Sequence, residues 1–461
     1  MRIMLVTPGS FNTPTRWMPL GICHLASYLQ SKGHECCIFD RFAMGMKHGG
    51  KRVDDLMLEG IRSFAPDIIG LNTVSPVIHD TVGAIETVRK VFRGTIVLGG
   101  HHATAFPALT LERMPEVNAV MAGEGEISLG MMADGLDWET IPGLFFRGRA
   151  GNGDSRGRVE DLDILPLPAY GLLDMPFYTK PGIMTIRPYR LRVGSMLTSR
   201  GCYNQCAFCT ESLTFGRGVR FHSDDHVLEN IEVLSRGYGC NGITILDNDF
   251  LARKERAFGI LVKIARMNHD RKVKFCIQAN ASCIDRESAG LLREAGCVQV
   301  EMGIETDSRE ILERMGKRAV AGEAEKAVEL CHKHGISVQA NLIMGFEGET
   351  IDALEATLAY MKKLKVDIFK WGSLMILPGS RLYEEKGGRF FEEQDWTREN
   401  VEGFYRTDHL SGIPPHEKEQ WTRRRMTPYQ RLIHHRGLWK ANNPVDCIRY
   451  YTGQLGRRIG I

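Results

Sequence analysis

Two stretches of this chain alternate short apolar runs with amphipathic ones, and this repetition limits the fold more than any other feature. In the first stretch the runs are Ile3–Thr7, Glu35–Asp40, Ile68–Asn72, Thr95–Gly99 and Ala119–Ala122. Helical patterns at Leu20–Lys32, Val53–Phe64 and Asp80–Phe92 lie between them. β-Branched runs of this kind, alternating with helices, predict a parallel sheet covered on both faces. The expected fold class is therefore α/β, with a doubly wound, Rossmann-like domain over residues 1–147. Such sheets bind ligands beyond the carboxyl ends of their strands.

The second stretch reads Val193–Thr198, Gly242–Asp247, Lys274–Ala279, Gln299–Gly303, Ser337–Met344 and Ile368–Leu377. Six parallel strands separated by helices predict a partial (β/α)6 barrel over residues 191–385, with chemistry on its top loops. Residues 148–190 read as a linker. Gly151-Asn152-Gly153-Asp154 is followed by Leu165-Pro166-Leu167-Pro168, and dense prolines favour an extended connection. Residues 386–461 read as a mostly helical C-terminal extension that closes the barrel mouth, with Trp396, Trp421, Trp439, Tyr405, Tyr429, Tyr450 and Tyr451 interleaved among basic residues.

Composition excludes several classes. A chain of 461 residues with 43% hydrophobic and 25% charged residues is an ordinary globular protein of two or three domains. A net charge of +3 implies no nucleic acid or other polyanion partner. No apolar run reaches transmembrane length, and Met1–Pro8 reads as a buried strand rather than a signal peptide. Twelve cysteines without a paired pattern point to a reducing cytoplasm.

The chemistry-bearing motif is Ser199-Arg200-Gly201-Cys202-Tyr203-Asn204-Gln205-Cys206-Ala207-Phe208-Cys209, a C-x3-C-x2-C spacing. One loop can turn three such thiolates toward one inorganic cluster. Zinc completed by His222 or His226 is the alternative, although zinc sites usually pair cysteines as C-x2-C. The other cysteines are isolated or sit within apolar runs, where a free thiol packs as a small hydrophobe.

The motif, with Phe208 as its aromatic position, resembles the cluster loop of radical S-adenosylmethionine (radical SAM) enzymes; Tyr203 replaces a proline common in relatives. The resemblance implies a 4Fe-4S cluster on Cys202, Cys206 and Cys209, with the fourth iron open to SAM. Top-loop positions are similar in order. Asp247 and Asn248 resemble residues near the SAM amino group, and Glu305, followed by Lys317, resembles the ribose carboxylate. Gly345-Phe346-Glu347-Gly348-Glu349-Thr350 and Leu377-Pro378-Gly379-Ser380 resemble the loops of the last two strands.

The N-terminal domain resembles the cobalamin-binding domain that precedes many radical SAM barrels. This rests on Gly99-Gly100-His101-His102-Ala103-Thr104, Gly123-Glu124-Gly125-Glu126 and Ile141-Pro142-Gly143-Leu144, together with the Leu-Pro-x-Pro-Ala bridge. The resemblance nominates Thr7, Pro8, Ser75, Gly99, Gly100, His101, Gly123, Glu124 and Gly125 as cofactor contacts. The Asp-x-His-x-x-Gly element is missing, and Gly9–Thr13 holds no histidine, so cobalt without a protein imidazole from that loop is expected.

The resemblance further implies methylation of an unactivated carbon, or of phosphorus, through methylcobalamin, the 5′-deoxyadenosyl radical activating a small or biosynthetic-intermediate substrate. A one-electron reductant such as flavodoxin or ferredoxin would be the partner. Oxidative cyclisation or rearrangement without methyl transfer is the alternative, and a non-catalytic metal- or nucleic-acid-binding module is the remote one. No individual catalytic residue is assigned.

Overall fold

The computed structural model describes residues 1–9, 16–148, 156–182, 186, 189–270, 272–317, 322–406, 410–427 and 431. Residues 10–13 of the loop after the first strand, the run 151–154, and the tail from 432 on, with Trp439, Tyr450 and Tyr451, lie outside them. The strands are β1 (Arg2–Thr7), β2 (Glu35–Asp40), β3 (Ile68–Asn72), β4 (Thr95–Gly99), β5 (Ala119–Met121), β6 (Leu144–Phe146) and β7 (Val193–Met196). They continue with β8 (Ser199–Cys202), β9 (Gly218–Phe221), β10 (Gly242–Ile245), β11 (Lys274–Gln278), β12 (Cys297–Glu305), β13 (Ser337–Met344) and β14 (Ile368–Ser373).

The chain divides into two compact units. One contains Met1–Phe177, Ser199–His222 and Met375–Thr407; the other contains Tyr178–Thr198, Ser223–Leu374 and Asp408–Ile461. The first unit holds a sheet in the order β2-β1-β3-β4-β5-β6. Its first five strands are parallel and β6 is antiparallel to β5. The expected doubly wound domain is present. β1 lies between β2 and β3, so the order reverses there and leaves the crevice where such sheets take ligands. Ile3, Leu5, Ile22, Ala26, Leu29 and Leu129 form the buried centre under the helices. β6 is not among the strands expected from the sequence, since three residues are too few for strand alternation to be visible.

The same unit contains the antiparallel hairpin β8–β9, which carries Cys202. Although it lies within the 191–385 stretch of the chain, it clusters with the N-terminal domain. The second unit has an all-parallel sheet in the order β14-β13-β12-β11-β10-β7, the six strands expected of a partial barrel. Local signals stop and start its helices. Asp285 and Ser288 form a capping box for Arg286–Ala295, Gly296 ends that helix at φ 98°, and Thr350 caps Ile351–Leu364. A helix at Arg381–Lys386 leads into the C-terminal extension, which is helical at Phe390–Glu393, Arg398–Arg406 and Pro415–Trp421. Among the described residues no helix is long and apolar enough to cross a membrane.

Gly100 is a backbone position that needs a glycine. It sits at φ 94° and ψ −176°, and an added Cβ would stand 2.2 Å from Asn72 Oδ1 and 2.7 Å from the Thr73 carbonyl oxygen. Backbone in this region costs other residues about 1–3 kcal/mol before any clash is counted. Gly100→Ala should therefore lower the denaturant midpoint of unfolding by at least that equivalent. An unchanged midpoint would contradict the close approach of the loops after β3 and β4.

Candidate active site

In the first unit, hydroxyls and carboxylates at the carboxyl ends of the strands tie the loops together. Thr7 Oγ1 donates to Asp40 Oδ1 at 3.0 Å, and Asp40 also accepts from the Ala43 amide at the start of the next helix. Beyond the buried Pro8, the Gly9 amide donates to Asp80 Oδ2 at 2.7 Å. Arg41 grips both oxygens of Asp80 at 3.0 Å and reaches Asp54 at 2.7 Å. Burial works against the Asp80 charge, but the hydrogen bonds and charge of Arg41 prevail and hold this carboxyl below its usual range.

The loops after β3, β4 and β5 are stitched in the same way. Thr73 Oγ1 donates to the Gly99 carbonyl at 2.7 Å; Thr104 Oγ1 donates to the Gly100 carbonyl and accepts from the Gly123 amide at 3.1 Å. Ser75 Oγ is 3.0 Å from Nδ1 of His102. His102 is fully buried among Phe106, Phe391 and Trp396, with ring centroids 5.5, 5.3 and 4.6 Å away. Burial pushes its pKa down to about 3, so the ring is neutral. The neighbouring His101 is less buried; burial lowers its pKa also, against the pull of Glu211.

The cysteine hairpin is the second part of this unit. Cys202, Cys206 and Cys209 are not joined in a disulfide, and all three are part-buried. The Cys209 amide donates to the Cys206 carbonyl at 3.1 Å, and Cys202 Sγ accepts from the Asn204 amide at 3.4 Å. The Leu382 amide donates to the Ala207 carbonyl at 2.8 Å, so the segment after Met375 holds the loop beside part-buried Phe208. Burial pushes the Cys209 thiol up to about 11, and taking up a metal cluster would release that proton. Three thiols that form no disulfide, carried in one turn, fit a cluster bound through three cysteines.

Four buried charges fasten this hairpin to the loop after β5. Arg200 on β8 donates to Glu124 Oε1 at 2.6 Å and to Glu126 Oε1 at 2.7 Å. Arg220 on β9 donates to Glu124 Oε2 at 2.6 Å, and the Val159 amide donates to the same oxygen at 2.9 Å. None of the four side chains is more than 9% exposed. Burial alone would lower the Arg200 pKa; the charges of Glu126 and Glu124 outweigh it and keep the guanidinium protonated. Gly123 lies against Gly157, where an added Cβ would stand 2.5 Å from its carbonyl oxygen. Both oxygens of Glu124, nominated from sequence as a cofactor contact, are thus committed to protein donors. Arg200 and Arg220 were not singled out from sequence, because nothing near them in the chain marks their partners. The one available signal is arithmetic: two buried-loop glutamates require two cations.

In the second unit, Asp247 at the end of β10 is 1% exposed and accepts from the Thr198 amide at 2.6 Å and from its hydroxyl. Asn248 beside it is part-buried. Glu305 closes β12 at φ 63°, where the register with β13 slips between Gly303 and Glu305. It pairs with Lys317, whose Nζ also donates to the Gly303 carbonyl at 3.1 Å. A non-glycine residue held there is strained, a state that usually accompanies a functional site. Gly303, Lys317, Thr306, Ala324 and Tyr360 border an open cavity of about 640 Å³. The Gly345 amide donates to Glu349 Oε2 at 2.7 Å, which shapes the turn after β13. Hence Thr7, Pro8, Ser75, Gly99, Gly100, His101, Gly123, Glu124, Gly125, Phe208 and the three cysteines share one unit, and Asp247, Asn248, Glu305 and Gly345 share the other.

Comparison with known proteins finds two family matches along the chain. Residues 196–361 match the radical SAM superfamily, and residues 10–130 match the B12 binding domain. The chain is 31% identical over 396 residues to an uncharacterized methyltransferase of Pyrococcus horikoshii, covering 83% of each chain. It is 25% identical over 407 residues to the anaerobic magnesium-protoporphyrin IX monomethyl ester cyclase of Rubrivivax gelatinosus, covering 84% of this chain and 70% of that one. Among solved structures, the radical SAM methyltransferase TsrM of Kitasatospora setae, with cobalamin and a 4Fe-4S cluster bound, has the same fold. Its TM-score is 0.67 at 20% identity, over 84% of this chain and 77% of that one. The chain belongs to the radical SAM superfamily, in the group with an N-terminal B12-binding domain. It is an enzyme whose cofactors are a 4Fe-4S cluster, SAM and cobalamin.

The neutral His102 makes a prediction about pH. Its pKa is about 3 when folded and about 6.5 when unfolded, so the unfolded chain alone takes up this proton as the pH falls. The stability involved is complete above about pH 6.5 and is lost toward pH 3, at up to about 1.4 kcal/mol per pH unit. His102→Gln should flatten the fall in unfolding free energy between about pH 7 and pH 5 by roughly 1 kcal/mol or more. Parallel slopes in the two proteins would contradict a buried neutral ring.

Proposed function

We propose that this enzyme transfers a methyl group from SAM to an unactivated carbon, or to phosphorus, of a small or biosynthetic-intermediate substrate. The observation that carries the reading is that one compact unit holds both the cysteine hairpin and the strand-end loops of the B12-binding fold, joined by Glu124, Glu126, Arg200 and Arg220. The relative named a methyltransferase, at 31% identity over most of both chains, supports methyl transfer. Cys202, Cys206 and Cys209 would hold the cluster. Thr7, Pro8, Ser75, Gly99, Gly100, His101, Gly123 and Gly125 line the loops that would meet the corrin and its nucleotide tail. Asp247, Asn248, Glu305 and Gly345 are assigned to SAM, and Phe208, the aromatic position of the cysteine loop, is kept as a further cofactor contact.

When bound, these cofactors supply reductive cleavage of a sulfonium and a transferable methyl group. The chain's own residues bind and orient. Glu305, steered by Lys317, can accept from a pair of ribose hydroxyls, and the sealed aromatic surroundings of His102 exclude water from the base of the β3 and β4 loops. None of the described cysteines forms a disulfide, which supports a reducing compartment, and we place the enzyme in the cytoplasm with a flavodoxin- or ferredoxin-type electron donor. We retain the linear division 1–147, 148–190, 191–385 and 386–461 as the working description of its segments.

Likeness to the Rubrivivax cyclase favours a second reading, oxidative cyclisation without methyl transfer. Anaerobic reconstitution separates the two. Methyl transfer predicts a corrin absorption spectrum, four irons per chain, and formation of both 5′-deoxyadenosine and S-adenosylhomocysteine on reduction. Alanine at Cys202, Cys206 or Cys209 should abolish 5′-deoxyadenosine. Its retention in all three variants would remove the cluster assignment, and its formation without S-adenosylhomocysteine in the wild type would favour the cyclase reading.

A further inference from the structure

The inward face of the barrel sheet in the second unit is polar. Parallel barrels ordinarily fill this space with branched aliphatic side chains. Here the apolar residues Val300, Met302, Val338, Ala340 and Leu342 alternate onto the other face, where they are buried. Register places Gln278, Glu301 and Gln339 side by side, and Gly303, Asn341 and Lys370 side by side one step nearer the carboxyl ends. Lys370 Nζ lies 3.9 Å from Glu301 Oε1 although β13 stands between their strands, which marks this as the concave face. At the amino ends, Ile186, Leu191, Cys276 and Val298 form an apolar plug with Tyr189 packed against it.

The result is a well with a sealed floor and an open upper level. Gln299 and Gln339 are 0% exposed, Asn341 and Lys370 are part-exposed, and Gly303 is exposed. Glu301 is already engaged, accepting from Gln299 Nε2 at 3.1 Å. Gln339 Nε2 donates to Asn341 Oδ1 at 2.9 Å, so Asn341 presents its Nδ2 donors to a ligand. Gln339 Oε1, although completely buried, has no hydrogen-bond partner among the described residues. An amide oxygen left this way carries a desolvation cost that a ligand donor would relieve.

We propose that this well receives the anionic end of the substrate. Lys370 Nζ and Asn341 Nδ2 donate to the oxygens of a carboxylate or phosphate, and Gln339 Oε1 accepts from a neighbouring hydroxyl or amine. The proposal rests on the radical SAM reading of this chain and adds a substrate class to it, small and anionic rather than wholly apolar. A cationic ligand is disfavoured because the carboxylate it would need, Glu301, is held by Gln299 and faced by Lys370.

The reconstituted full-length enzyme is tested by competitive lysine acylation, with labelling read residue by residue by peptide mass spectrometry. Inorganic phosphate, acetate or SAM is titrated at constant ionic strength set with sodium chloride, and the remaining lysines serve as the reference. Lys370 should be reactive and saturably protected by phosphate or by acetate, the more effective anion identifying the head group. Asn341→Ala should raise the protecting concentration roughly threefold or more. A Lys370 that does not react, that neither anion protects, or that SAM alone protects would overturn the proposal. Formation of 5′-deoxyadenosine by the wild type, assayed separately, shows whether the radical SAM reading stands regardless of that outcome.

Discussion

The contact on which the first unit depends is the pair of buried guanidinium–carboxylate bridges from Arg200 to Glu124 and Glu126, completed by Arg220. Two strands of a hairpin cannot bury enough apolar surface to fix their own position. What fixes β8–β9 is charge, since the loop after β5 carries two buried carboxylates and the hairpin carries two guanidiniums. Replacing all four with apolar residues could leave stability unchanged, whereas removing one partner costs roughly 3–5 kcal/mol because a buried charge is left behind. The value of the arrangement is registry. Arg200 lies two residues before Cys202, and Gly123, Glu124 and Gly125 form one of the strand-end loops of the B12-binding fold, so the bridges set where the cysteines stand relative to that loop.

Much of the architecture was legible in the sequence. Buried parallel strands read as continuous apolar runs, and β2, β3, β4 and β13 match the expected runs residue for residue. Strand ends shifted by one or more residues where a bulge or a turn decides them, as at Gly303–Glu305. The cysteine motif was legible because its three members are close in sequence. Contacts made by residues far apart were not. Glu124 and Arg200 are separated by 76 positions, and no local pattern records that they meet. The polar inward face of the barrel was hidden for a different reason: Gln299, Glu301 and Gln339 read as polar interruptions of strands until the register aligns them.

The second unit shows the same division of labour in uncharged and singly charged groups. Its strand ends are occupied by side chains already satisfied by the protein, such as Asp247 with Thr198 and Glu349 with the Gly345 amide. These hold loop geometry. At the strand ends Glu305 is held by Lys317 at a backbone angle few non-glycine residues adopt, and the unsatisfied Gln339 lies deeper, within the sheet. Rigid scaffolding with a few uncompensated groups is the pattern expected where binding energy from a ligand is to be collected.

The most direct test of the fastening is hydrogen–deuterium exchange on the full chain with Glu124→Gln, which removes the carboxylate shared by both arginines. Amides of Ser199–Phe221 should exchange at least about tenfold faster than in the wild type, because the hairpin loses its anchor. Amides of β12, in the other unit, should be unaffected. A hairpin that exchanges at the wild-type rate, or a chain that loosens equally everywhere, would contradict the claim that buried charge positions the cysteines.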